Sequence, residues 1–137
     1  MPTHIGLIVE EVNDMYNLKV NKEQLEIIAD ALDSYSRLKC GQLKSISDLF
    51  FDKKFDRNDL DYAMTQTKII LFPELQNSQY LGIYQQETPS DAKISYDVYK
   101  IIKNEFNKDS KPWNVHCDPH IMLAGNYPVG LEEVIDI

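Results

Sequence analysis

The stretch DALDSYSRLKCGQL, Asp30–Leu43, decides how the first half of this chain folds. Upstream of it, Asn21 followed three residues later by Gln24 has the pattern of a capping box, in which each side chain satisfies the other's backbone N–H at a helix start. Leu25, Ile28, Leu32 and Tyr35 then recur at steps of three and four, and Leu43, Ile46, Leu49 and Phe50 resume in compatible phase. The spacing predicts a single helix over about residues 21–50.

Inside that helix the quoted stretch is thinned to small and polar residues. At about 100° per residue, Arg37, Gly41, Lys44, Ser45 and Asp48 fall within about 80° of Ser34, opposite Leu25, Leu32 and Leu43. A glycine inside a helix costs about 1 kcal/mol relative to alanine, so Gly41 points to a close backbone approach, a kink or room for a ligand. Asp48, four residues after Lys44, can pair with it, which leaves Arg37 as the free cation beside small residues. A guanidinium fork so placed clamps phosphate or carboxylate, although the same face also suits packing against a partner chain. Lys39 falls on the apolar side, so either its stem snorkels outward or the helix bends at Gly41.

Outward from this helix, HIGLIVEEV and YNLKV read as two short strands around Asn13 and Asp14. DRNDLDYAMTQTKIILFPEL predicts a second helix over about 58–72, capped by Asn58 or Asp59, with Leu60, Met64, Thr67 and Leu71 on one side. Pro73 ends it, and it is expected to run antiparallel to the first. QNSQYLGIYQQ reads as a loop, followed by a third helix over about 89–107 capped by Thr88 or Ser90. This helix carries Ala92, Ser95, Val98, Tyr99, Ile102 and Phe106 on a broad face and is expected to be the most buried. WNVHCDPHIML and YPVGLEEVIDI read as strands. The sum is a single α+β domain over 1–137: three helices with a small, mostly antiparallel sheet from the N- and C-terminal segments.

With 43% hydrophobic and 26% charged residues, the 137-residue chain has the composition of an ordinary soluble domain. A net charge of -8 argues against duplex nucleic acid, whose binding depends on Lys and Arg. Pro112–Ile137 holds no Lys or Arg but contains Asp118, Glu132, Glu133 and Asp136, whereas Lys39, Lys44, Lys53, Lys54 and Arg57 gather mid-chain. This leaves room for one local anion site on an acidic protein. No apolar run approaches the roughly 18 residues of a membrane span, and Met1–Asn17 lacks the cations of a secretory signal. A cytoplasmic protein is expected, with Cys40 and Cys117 as buried thiols.

The densest chemical cluster is HCDPH. On a strand, His116, Asp118 and His120 share one face and Cys117 takes the other, and no second ligand pair follows, so no metal or other cofactor is expected. Neither cysteine shows the activating surroundings of a nucleophile, and P-loop and GxGxxG motifs are absent, so the chain does not read as an enzyme.

DALDSYSRLKCGQL, then a helix ending LFPEL, then YLGIY and DAKISYDVYKIIKNEF, resembles a family of small proteins of tailed bacteriophages and prophages over about residues 21–106. The layout is also similar to phage proteins that defeat Thoeris immunity by sequestering a cyclic ADP-ribose signal. That resemblance implies an oligomer holding a nucleotide between protomers without turnover, with Arg37, Tyr84 and Lys103 as the contacts. The leading expectation is therefore a phage-encoded counter-defence protein, a homodimer or higher oligomer in the host cytoplasm. It would bind a small anionic nucleotide through Arg37, Gly41, Lys44 and Lys103, with Tyr80 or Tyr84 stacking on the base. The alternative is an inhibitor of a host defence nuclease that uses the acidic surface near the C-terminus.

Overall fold

A computed structural model describes residues 9–12, 15–76 and 78–107. Their order is β1 (Val9–Val12), β2 (Met15–Leu18), α1 (Lys22–Lys39), a 3-10 helix (Leu43–Phe50), α2 (Arg57–Leu71) and α3 (Ser90–Asn107). The described chain is thus mostly helical. Strands β1 and β2 pair antiparallel, with Val9 opposite Leu18 and Val12 opposite Met15, and within the described residues they pair only with each other. A two-stranded pairing of this length does not carry the expected α+β class. The C-terminal strands, Cys117, the HCDPH cluster and the acids at Asp118, Glu132, Glu133 and Asp136 lie outside the described residues.

Helix α1 starts where its capping box places it: the Gln24 N–H donates to Asn21 Oδ1 at 2.8 Å, and the Asn21 N–H to Gln24 Oε1 at 2.9 Å. It does not run on to Phe50, because Gly41 terminates it. The Gln42 N–H donates to the Arg37 carbonyl at 2.9 Å and the Gly41 N–H to the Leu38 carbonyl at 3.1 Å, the paired bonds of a Schellman motif. The motif needs a left-handed residue just past the helix, and Gly41 supplies it with φ +91°. Gly41 is therefore a helix stop, and Arg37 and Lys39 in the last turn lie where the helix dipole favours cations.

The chain resumes as a 3-10 helix, and with three residues per turn Leu43, Ile46 and Leu49 come into line. Leu43 is buried against its neighbours, while Leu49 and Phe50 are exposed.

Helices α1 and α3 pack against each other antiparallel. Near one end the Lys22 ammonium lies 5.8 Å from the Phe106 ring, and Lys103 pairs with Asp30 at 3.9 Å farther along. At the other end Tyr35 and Lys39 reach Asp91. The buried positions of α1 are Ala29 and Ser36, one step from the predicted line through Ile28 and Tyr35. On α3 they are Ala92, Ser95 and Ile102, together with Asp97 and Lys100. Small side chains let two helix backbones approach, so larger ones such as Ile28 and Leu32 sit at the flanks, half-buried. As expected, α3 holds the most buried residues of the three α-helices. Thr88 does not cap it; its buried hydroxyl donates to the Gly82 carbonyl instead.

The misfit Lys39 has a partner across this interface. Its ammonium lies 3.3 Å from Asp91 Oδ2, and the Tyr35 hydroxyl donates to the same oxygen at 2.8 Å. The Tyr35 bond, then Lys39, hold the Asp91 carboxyl below its ordinary value of 3.8, and the Asp91 bond is the main cause of a raised Tyr35 phenol. A depressed carboxyl stabilises the fold above its unfolded value, and that contribution is lost as pH falls through the folded one. Tyr35→Phe is thus expected to melt below wild type at neutral pH, the gap narrowing on acidification past 3.8. Melting curves across that range check this, and a gap that is constant with pH contradicts it.

Helix α2 is capped by Asp56, not by Asn58 or Asp59: Asp56 Oδ1 accepts from the Asn58 N–H at 2.8 Å and the Asp59 N–H at 3.4 Å. It ends at Leu71, one residue before the position whose geometry Pro73 restricts. Among the described elements α2 packs on the 3-10 helix and not on α1. Its inward side passes through Met64 and Lys68, leaving Leu71 exposed against expectation. Among the described residues no helix is long and apolar enough to cross a membrane.

Candidate functional site

The end of α1, the 3-10 helix, α2 and the segment around Tyr80 enclose a groove of about 390 Å³. Four of the residues singled out from sequence line it: Arg37 and Gly41 from the α1 terminus, Lys44 from the 3-10 helix, and Tyr80. Ser45 and Asp48 join Lys44 on one wall, and Met64, Thr65 and Lys68 form the facing wall.

The turn at Gly41 creates this concavity. Had the helix continued, Lys44 and Ser45 would have followed Arg37 up one rod; the reversal instead sends the 3-10 helix off to present them to α2. An added Cβ at Gly41 would lie 3.1 Å from Leu75 Cδ1 and 3.8 Å from the Phe72 ring, so the segment after α2 closes directly onto the turn. The Leu81 N–H donates to the Cys40 carbonyl at 2.8 Å, which seats the strand of chain carrying Tyr80 beside it. Cys40 itself is buried, and burial pushes its thiol up, consistent with a packing role.

Arg37 is not the free cation that the sequence suggested. Its Nε–H is shared between the two Asp33 carboxylate oxygens at 3.1 Å each, and Nη1 donates to Gln42 Oε1 at 3.2 Å. Conversely, no Lys44–Asp48 ion pair forms among the described residues. Helix type explains the reversal: residues four apart are neighbours on an α-helix, as Asp33 and Arg37 are, but lie about 120° apart on a 3-10 helix, where the i+3 position eclipses. The guanidinium keeps donors on its outer edge and remains about half exposed.

Lys68 was not anticipated. It is only 7% exposed, and its ammonium donates to the Gln79 carbonyl. Burial first, and then the positive charge of Lys44, hold its pKa below the ordinary 10.5. A lysine depressed in this way opposes folding at pH below its folded value, and stability rises as pH climbs from there to 10.5. Its four-residue spacing from Met64 on the inward stripe was the available signal.

The two remaining sequence candidates fall elsewhere. Tyr84 is 76% exposed within the turns between Leu81 and Thr88. Lys103 lies on α3 and is occupied with Asp30. Neither lines the groove with Arg37, Gly41, Lys44 and Tyr80. Among the described residues no group of three or more His, Cys, Asp and Glu side chains is arranged to hold a metal. No protein-family model, no curated protein and no solved structure matches this chain, so the chemistry of the groove is read from its own residues.

Proposed function

We propose that the protein captures a small phosphate-bearing anion of the nucleotide class in this groove and holds it without turnover, as a phage counter-defence protein that removes an immune signal would. The observation that carries the reading is that three cations, Arg37 at the end of α1, Lys44 on the 3-10 helix and Lys68 on α2, line one groove of an acidic protein. A largely buried lysine with a second positive charge nearby is costly to the folded chain, and an anion in the groove offsets part of that cost. The outer edge of the Arg37 guanidinium adds donors, and Tyr80, 56% exposed, presents a ring on which a base can stack.

Titration calorimetry with a panel of linear and cyclic nucleotides tests this. At least one nucleotide is expected to bind, to be weakened about tenfold by Lys44→Met or Lys68→Met, and to be recovered intact after denaturation. Affinity should also fall as pH rises through the lowered Lys68 value, where the ammonium is lost. Flat traces across the panel, or binding indifferent to both lysines, overturn the proposal.

A further inference from the structure

The groove is lined by acceptors as well as cations. Asp48 shares a wall with Lys44 and Ser45, and its carboxylate offsets part of the positive charge that Arg37, Lys44 and Lys68 bring. Asp48 is exposed, and among the described residues it forms no ion pair and no hydrogen bond. A carboxylate beside an anion site weakens that site by repulsion unless the same ligand also gives it a proton to accept. Ser45 has the same polarity: its hydroxyl donates to the Gln42 carbonyl at 2.7 Å, so to any further partner it can only accept. Residues three apart eclipse on a 3-10 helix, so Ser45 and Asp48 stand in line, about 6 Å apart along its axis, with Lys44 turned about 120° away. The groove therefore has a donor side, which includes Lys44 and the outer edge of Arg37, and an acceptor strip beside it.

We propose that the groove takes an anion that also carries adjacent hydroxyl groups, the chemistry of a ribose phosphate. The phosphate meets Lys44 and Arg37, Asp48 accepts from the sugar hydroxyls, and Ser45 is a second acceptor. The inference rests on the anion-capture reading above and narrows it to ligands whose sugar keeps its 2′-hydroxyl. The two oxygens of a carboxylate lie side by side and match the two neighbouring hydroxyls of a ribose, so loss of the 2′-hydroxyl leaves one of them unanswered. Ribonucleotides and simple sugar phosphates share this chemistry, and only the first has a base to stack on Tyr80.

Titration calorimetry compares adenosine 5′-phosphate with its 2′-deoxy analogue, and ribose 5-phosphate with 2-deoxyribose 5-phosphate. In each pair that binds, the ribo member is expected to be about tenfold tighter. Asp48→Ala should tighten the deoxy member, by removing repulsion, without tightening the ribo member, so the preference falls below about twofold. Asp48→Asn, which keeps one acceptor oxygen, should fall between, and circular dichroism confirms that both variants fold. A carboxylate that only repels phosphate would change both members equally and leave their ratio as it was. An unchanged ratio in Asp48→Ala, or equal binding of ribo and deoxy members to the wild type, therefore overturns the inference and leaves anion capture standing. Nucleotides bound more tightly than the sugar phosphates support it with a ribonucleotide as the source; equal affinity supports it with a sugar phosphate. Binding of none of the four compounds overturns it, and the nucleotide panel above then decides separately whether anion capture falls too.

Discussion

Gly41→Val is expected to lower the free energy of unfolding by about 3 kcal/mol, because a β-branched residue is forced into a backbone region that such residues avoid. Gly41→Ala should cost about 1–2 kcal/mol, most of it from the positive φ, since the Leu75 methyl that would crowd the new Cβ is the end of a flexible side chain. Asparagine, which tolerates left-handed geometry, should be the mildest of the three replacements. Urea unfolding measures the series. Were alanine as stable as glycine, the Schellman turn would not be what stops α1. The same substitutions should weaken groove binding, since the turn positions both Arg37 and Lys44.

A comparable loss, about 2–3 kcal/mol each, is expected from Ala29→Leu and Ala92→Leu. Both alanines are fully buried, and a leucine at either position has no space unless the helices separate. Because the Asp30–Lys103 and Lys39–Asp91 pairings place Ala29 and Ala92 about two turns apart along the helix pair, the two losses should be roughly additive in the double variant. Ile27→Ala is the control: Ile27 is 67% exposed on the same helix and should change stability by no more than about 0.5 kcal/mol. If the alanine variants are as benign as the control, α1 and α3 are not closely packed.

The residues that misled the sequence reading are those whose side chains work through backbone geometry or through distant neighbours. The capping box at Asn21 was legible because both halves lie within one turn of helix. By periodicity Gly41 falls in a helix interior, although cations in the preceding turn with a glycine two residues after Lys39 are also the marks of a helix end. The apolar residues from Leu43 to Phe50 continued the right phase, which disguised the break, because periodicity cannot report a reversal between two helical segments. The seam was misplaced by one position for a related reason: hydrophobicity favoured Ile28 and Tyr35, whereas close approach favoured Ala29 and Ser36. Four of six proposed ligand contacts do line one groove, since three of them surround the Gly41 turn in sequence. Lys68 escaped because a cation on an inward helix stripe makes sense only once the opposing wall is known.

The hydrogen bond from the Leu81 N–H to the Cys40 carbonyl has a further consequence, for motion. Residues 40 and 81 are brought together by closing a long loop, and the entropy of that closure rises only slowly with its length. The Gln79 carbonyl, next to Tyr80, also accepts from the Lys68 ammonium, so the chain that carries Tyr80 is tied to α2 as well as to the end of α1. A loop of this kind opens locally only when both ties part. Under the anion-capture proposal these two ties hold Tyr80 at the groove, and loosening either is expected to speed release of a bound anion.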